Sequence, residues 1–158
     1  MSTAESRRKR IVAFVLARLA LITIAGGYRT DASQLIEVGF VPDIGAEAEV
    51  GDVSSALAVV VGEDAVQSNT LKASVTLPIT IHALARGTRA AAWMTVEDVL
   101  ADIKEVVEVD DWTLGGLVNV RLEKGSTRTM VREAGSLMVG AEIEYLATYP
   151  ESWGAPGA

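Results

Sequence analysis

Few side chains in this sequence are equipped for chemistry. His82 is the only histidine, and there is no cysteine. A general base, a neutral-pH proton switch or an imidazole ligand would therefore have to be His82. It falls on the polar side of an alternating segment, with no second histidine and no thiolate to complete a zinc site. An exposed or cross-strand pairing residue is the simpler account. Carboxylates are more numerous. Glu97, Asp98, Asp102, Glu105 and Glu108 fall on one side of a helical segment, and Asp43, Glu47, Glu49 and Asp52 lie in a turn-rich stretch. Neither group has the ligand spacing of a calcium loop, so both are expected to be solvated surface. Gly26-Gly27 and Gly115-Gly116 each follow a helical pattern, whereas a phosphate cradle needs strand, glycine loop and then helix. A Gly-x-Ser-x-Gly elbow and a Walker-type loop are both absent. These residues predict no catalytic, cofactor-binding or metal-binding centre, and so a role that works through contact.

Residues suited to contact are easier to find. Arg7, Arg8, Lys9 and Arg10 form a basic run, and with Arg18 and Arg29 against Glu5 they give residues 1–29 a net charge of +5. The whole chain carries −7, which leaves −12 for the remainder. An acidic body argues against a general nucleic-acid binder, which needs lysine and arginine against phosphate. The basic run reads as a solvated helix start. It has the wrong sign for a helix N-terminus, which leaves room for an anionic partner. Trp93 and Trp112 flank the second helix and are expected to pack in the core or at helix ends, with an interface role as the alternative. Trp153 sits in a Pro/Gly-rich tail.

The elements that position these residues follow from periodicity. With 158 residues and 49% hydrophobic content, the chain is expected to form one domain over residues 1–150 and a flexible tail over 151–158. A basic run before Ile11–Ala25 has the outline of a secretory signal, but Arg18 interrupts the apolar stretch, and an amphipathic helix over 5–24 fits better. Val12, Val15, Leu16 and Leu19 mark its apolar face. Arg7 and Arg18 share the opposite face with Ile11 and Phe14, so the helix is apolar most of the way round, as subunit packing would require. Gly26-Gly27 is the expected stop.

Strands are expected over 34–40 and 56–61, separated by a long acidic loop over 41–55. Over 71–86, Leu71, Ala73, Val75, Leu77, Ile79, Ile81, Ala83 and Ala85 alternate with polar residues, and Pro78 predicts an edge or a bend there. Ala92, Val96, Val99, Leu100, Ile103, Val106 and Val107 form one face of a second helix, started by Thr88 or by a Thr95–Asp98 capping box. A strand over 118–124, a turn at Lys124-Gly125-Ser126, a weak strand over 128–132 and a strong strand over 139–149 closed by Pro150 complete the chain. The expected fold is α+β: a mixed or antiparallel sheet with two main helices packed on one face.

Several segments together resemble a known family. The Arg-rich opening helix runs into Ile22-Thr23-Ile24-Ala25-Gly26-Gly27-Tyr28-Arg29-Thr30-Asp31. A middle strand reads Leu77-Pro78-Ile79-Thr80-Ile81. The second helix carries Val99-Leu100-Ala101-Asp102-Ile103-Lys104, followed by Leu114-Gly115-Gly116-Leu117. The last strand reads Ala141-Glu142-Ile143-Glu144-Tyr145 and ends at Tyr149-Pro150. Over nearly the whole chain this pattern resembles the tail terminator (tail completion, minor tail protein U-like) proteins of long-tailed phages. The resemblance implies a virion protein of the head-proximal tail end, assembled in the host cytoplasm as a ring, usually hexameric. Such a ring caps the finished tube, stops its polymerisation and presents a surface to the head. The implied partners are further copies of the chain, the tail tube protein and a head-completion or neck protein, with DNA only passing through the lumen and no membrane involved. No catalytic residue or cofactor carries over. Residues of suitable type for the partner and oligomer surfaces are Arg7, Arg10, Phe14, Arg18, Asp43, Glu47, Glu49, Trp112, Arg128 and Arg132. The alternatives are another neck or head–tail joining protein, or a small ligand-binding accessory domain using polar residues around His82.

Overall fold

The computed structural model describes residues 5–45, 53–68, 72–108, 120–130 and 137–153. Helix α1 spans Arg7–Leu19, and the Ser6 side chain caps it by accepting from the Lys9 amide at 3.3 Å. It stops five residues short of the expected end. The chain leaves it for a 3₁₀ turn over Ile24–Gly26, where the Thr23 hydroxyl accepts from the Gly26 amide at 2.9 Å. Gly27, at φ 95°, therefore closes this turn and not α1. Strands β1 (Ile36–Val38), β2 (Ser55–Val61), β3 (Ala65–Ser68) and β4 (Lys72–Arg86) follow. Helix α2 covers Arg89–Val107, and β5 (Arg121–Met130) and β6 (Met138–Ser152) end the described chain.

The six strands form one sheet in the order β1-β2-β4-β6-β5, with β3 also paired to β4. Among the described strands only the β1–β2 pair is parallel, so the sheet is mixed. Both helices lie on one face. Ile11, Val15 and Leu19 of α1 and Val96, Val99, Ile103 and Val106 of α2 join the odd-numbered residues of β4 and β6 in a single buried core. This is the expected α+β arrangement.

Several local expectations change. Ile11 is fully buried with Val15 and Leu19, so the side of α1 that it shares with Arg7 and Arg18, expected opposite the apolar face, turns toward the core. Helix α2 starts after Thr88, whose side chain makes no capping hydrogen bond, while the Thr95 hydroxyl donates to the Ala91 carbonyl at 3.0 Å inside the helix, so there is no capping box at Thr95. The expected turn at Lys124-Gly125-Ser126 is a break in register within one continuous strand β5, whose pairing with β6 jumps from Lys124 to Thr127. Strand β6 also continues past Pro150, which pairs with Ser74, to Ser152.

Pro78 does not lie on an edge strand, because β4 is flanked on both sides. It sits where the neighbour changes from β2, whose pairing ends at Val61–Ile79, to β3, whose pairing begins at Ala65–Thr76. In an antiparallel strand a residue's N–H and C=O point the same way. The Pro78 carbonyl accepts from the Gly62 amide at 2.8 Å, so the missing N–H faces the turn between β2 and β3, where a ladder bond is not needed. A Cβ on Gly62 would lie 2.7 Å from Pro78 Cγ, against a rigid ring. Gly62→Ala is therefore expected to cost about 1–3 kcal/mol, read as a lower urea midpoint with an unchanged slope.

The second sheet face is not simply solvated. Ile44, Ala56 and Leu84 are buried there in a smaller cluster with Leu35, Val53, Met130 and Met138. The segment after β1 thus folds over part of the sheet, which is why even-numbered residues His82 and Leu84 of β4 are buried.

Candidate assembly surfaces

His82 lies at the margin of the smaller cluster. It is 7% exposed, where a surface position was expected. The cross-strand register sets it between Ala58 of β2 and Glu142 of β6. Its Nδ1 is 3.6 Å from a Glu142 oxygen, beyond hydrogen-bond reach, and has no hydrogen-bond partner among the described residues. Arg128 of β5 pairs with the same carboxylate. Burial pushes the His82 pKa below its ordinary value of 6.5, Glu142 opposes that and Arg128 adds to it. The unfolded chain therefore binds more protons than the folded one just below pH 6.5. Stability is full above that pH and falls as pH drops through it. His82→Gln is expected to flatten this slope between pH 7.5 and 5.5 in chemical denaturation, and Arg128→Ala to shrink it. Among the described residues no three His, Asp or Glu side chains gather as a metal site.

Asp102 departs furthest from expectation. It is fully buried, not solvated. Its two oxygens accept from the Arg29 amide (3.1 Å) and Nη1 (3.0 Å), and from the Thr30 amide (3.0 Å) and hydroxyl (2.8 Å). The carboxylate thereby fastens the segment after α1 to α2. Arg29 also reaches Glu105 at 2.9 Å, and Glu108 accepts from the Tyr145 hydroxyl at 3.0 Å while pairing with Lys124. Burial and the Glu108 carboxylate push the Tyr145 pKa up, keeping its hydroxyl a donor. The acidic side of α2 is thus partly internal bracing at Asp102, while Glu97, Asp98, Glu105 and Glu108 are exposed as expected, the last two paired with Arg29 and Lys124.

The cations of α1 divide similarly. Arg8 pairs with Asp64 in the β2–β3 turn, Lys9 pairs with Glu5 at 2.7 Å, and Arg10 is exposed. Arg7 is half-buried, and Phe14 is half-buried against the core. Arg18 Nε donates to the Val106 carbonyl at 2.7 Å, tying α1 to the end of α2 within one chain. Asp43 is exposed and closes its own turn, accepting from the Gly45 amide at 2.9 Å. Arg128 is exposed on β5. Glu47, Glu49, Trp112 and Arg132 lie outside the described residues. Those described are scattered over α1, the segment after β1, and β5, and do not form one site.

Exposed apolar groups that periodicity did not mark are more suggestive. Trp93, expected in the core or at a helix end, is 43% exposed, and its neighbour Met94 is 64% exposed, one turn before Glu97 and Asp98 on α2. On α1, Val12, Ala13 and Leu16 with Val61 of β2 line an open groove of about 450 Å³, rimmed by Ser6, Arg8 and Lys9. Val66 of β3 and Trp153 flank a second depression of about 350 Å³. No described helix is long and apolar enough to cross a membrane.

No protein-family model matches the chain, and no curated protein matches it. Among solved structures, the chain is similar to one in the virion of a native gene transfer agent particle. Identity is 13% and the TM-score is 0.52, over 95% of this chain and 98% of that one. At that identity the likeness is one of fold, and it extends over both chains almost end to end.

Proposed function

We propose that this chain is a structural virion protein. In this reading it caps the completed tail tube as a ring, ends tube polymerisation and forms the surface that joins the head. The observation that carries the reading is the end-to-end fold likeness to a chain of a virion particle, which agrees with the tail-terminator pattern in the residues. The distribution of side chains supports it. The charged groups at the sheet margins and between the helices are mostly consumed in bracing, and exposed apolar residues are left on α1, α2 and β3. A body carrying −12 outside residues 1–29 suits a ring through which DNA slides without adhering. Its partners are then further copies of itself, the tube protein and a head-side neck protein.

Deleting the gene from its phage and imaging the lysate tests this role. Loss of a terminator leaves headless tails of abnormal length. A neck or head-joining protein would instead leave tails of normal length.

A further inference from the structure

We infer that Trp93 of one copy seats in the α1–β2 groove of the next copy, with Glu97 against the basic rim of that groove. This deepens the ring reading and rests on it. The groove is apolar along Val12, Ala13, Leu16 and Val61; at its other end Arg8 is paired with Asp64, while Lys9 is 73% exposed and held only by an exposed pair with Glu5 one turn away, which a second carboxylate can join. Trp93 does not line it and is 43% exposed, so the two surfaces do not meet within a chain. An exposed tryptophan beside an exposed methionine costs solvation that a partner surface removes, and tryptophan is the residue most enriched among those that dominate interfaces. The groove volume of about 450 Å³ admits an indole ring and part of Met94.

Spacing and charge set the direction. Trp93 and Glu97 are one helical turn apart on α2, about 6 Å, and Lys9 and Ala13 are the same distance apart on α1. Antiparallel docking of α2 on α1 therefore sets the indole over Ala13 and Leu16 and the Glu97 carboxylate over Lys9. Parallel docking would bring Glu97 onto the apolar end. The contact joins two different surfaces of the chain. Each copy offers one groove and one tryptophan, so repeated head to tail the contact generates a ring when the rotation between copies closes.

The absence of cysteine makes the contact directly testable in the full-length protein. Ala13→Cys and Met94→Cys each add one thiol at an exposed position on the two surfaces. Treated with a short bis-maleimide, the double variant should give a ladder of cross-linked species ending at the ring size, and neither single variant should. Trp93→Ala should weaken assembly at least ~30-fold. Lys9→Glu and Glu97→Lys should each weaken it, and their combination should restore it with unchanged circular dichroism. Assembly of the wild-type chain, with no ladder from the double-cysteine variant and no effect of Trp93→Ala, would overturn this interface and leave the ring standing. A ladder that stops at dimer would overturn head-to-tail docking. A strictly monomeric wild-type chain would overturn both.

Discussion

Asp102→Ala is expected to destabilise the protein by about 3–5 kcal/mol. The carboxylate is fully buried and is the acceptor for two backbone amides, the Thr30 hydroxyl and one arm of Arg29. Truncation removes all four bonds together and leaves the buried Thr30 amide and hydroxyl without their acceptor. For a chain of this size, that corresponds to a fall in Tm on the order of 10 °C. Asp102→Asn keeps the shape but turns one oxygen into a donor facing donors, so it should fall between alanine and wild type. Glu105→Gln, at an exposed partner of the same Arg29, should change stability by less than about 1 kcal/mol. Thermal and urea unfolding of the three variants separates internal bracing from surface charge. Equal effects at 102 and 105 would show that Asp102 is not the anchor.

Ile11→Ala is expected to cost about 2–5 kcal/mol, the range for a fully buried large aliphatic side chain. Ile11, Val15 and Leu19 recur at intervals of four and form the line by which α1 meets the sheet. Ala13→Ser and Ala17→Ser, on the exposed side of the same helix, should stay within about 0.5 kcal/mol. The comparison fixes the rotation of α1, and with it which residues remain to contact another copy. A small loss at Ile11 and a large one at Ala17 would mean that α1 is docked on the other face.

Where one side-chain period dominates, the fold is legible in the sequence. The alternation from Val75 to Ala85 and from Val139 to Tyr149 predicts two long strands, and those are the two central strands that carry the core. The single apolar face of Ala92–Val107 predicts α2 in the same way. Legibility fails where two explanations share a pattern. Arg7–Leu19 is apolar nearly all round, so its periodicity does not fix its rotation, and Ile11 falls on the wrong face. Gly125-Ser126 serves a break in strand register as readily as a turn. Strand β3 is four exposed residues, too short to show alternation. Asp102 looks like its acidic neighbours until the fold brings Arg29 and Thr30 against it, about 70 residues away in sequence. The candidate surfaces follow the same rule. Charge marks Arg8, Arg18 and Arg128, but charge alone cannot distinguish a group consumed inside the chain from one offered to a partner. Trp93 and the α1 groove become visible only once burial is known.

The proposed role of the assembled chain is to end tube growth. It is tested most directly by adding the purified protein to the phage's tail tube protein during polymerisation and imaging the products by negative-stain electron microscopy. Tubes that stop short, each bearing a ring at one end, are expected. Tubes of unchanged length with bare ends would contradict it.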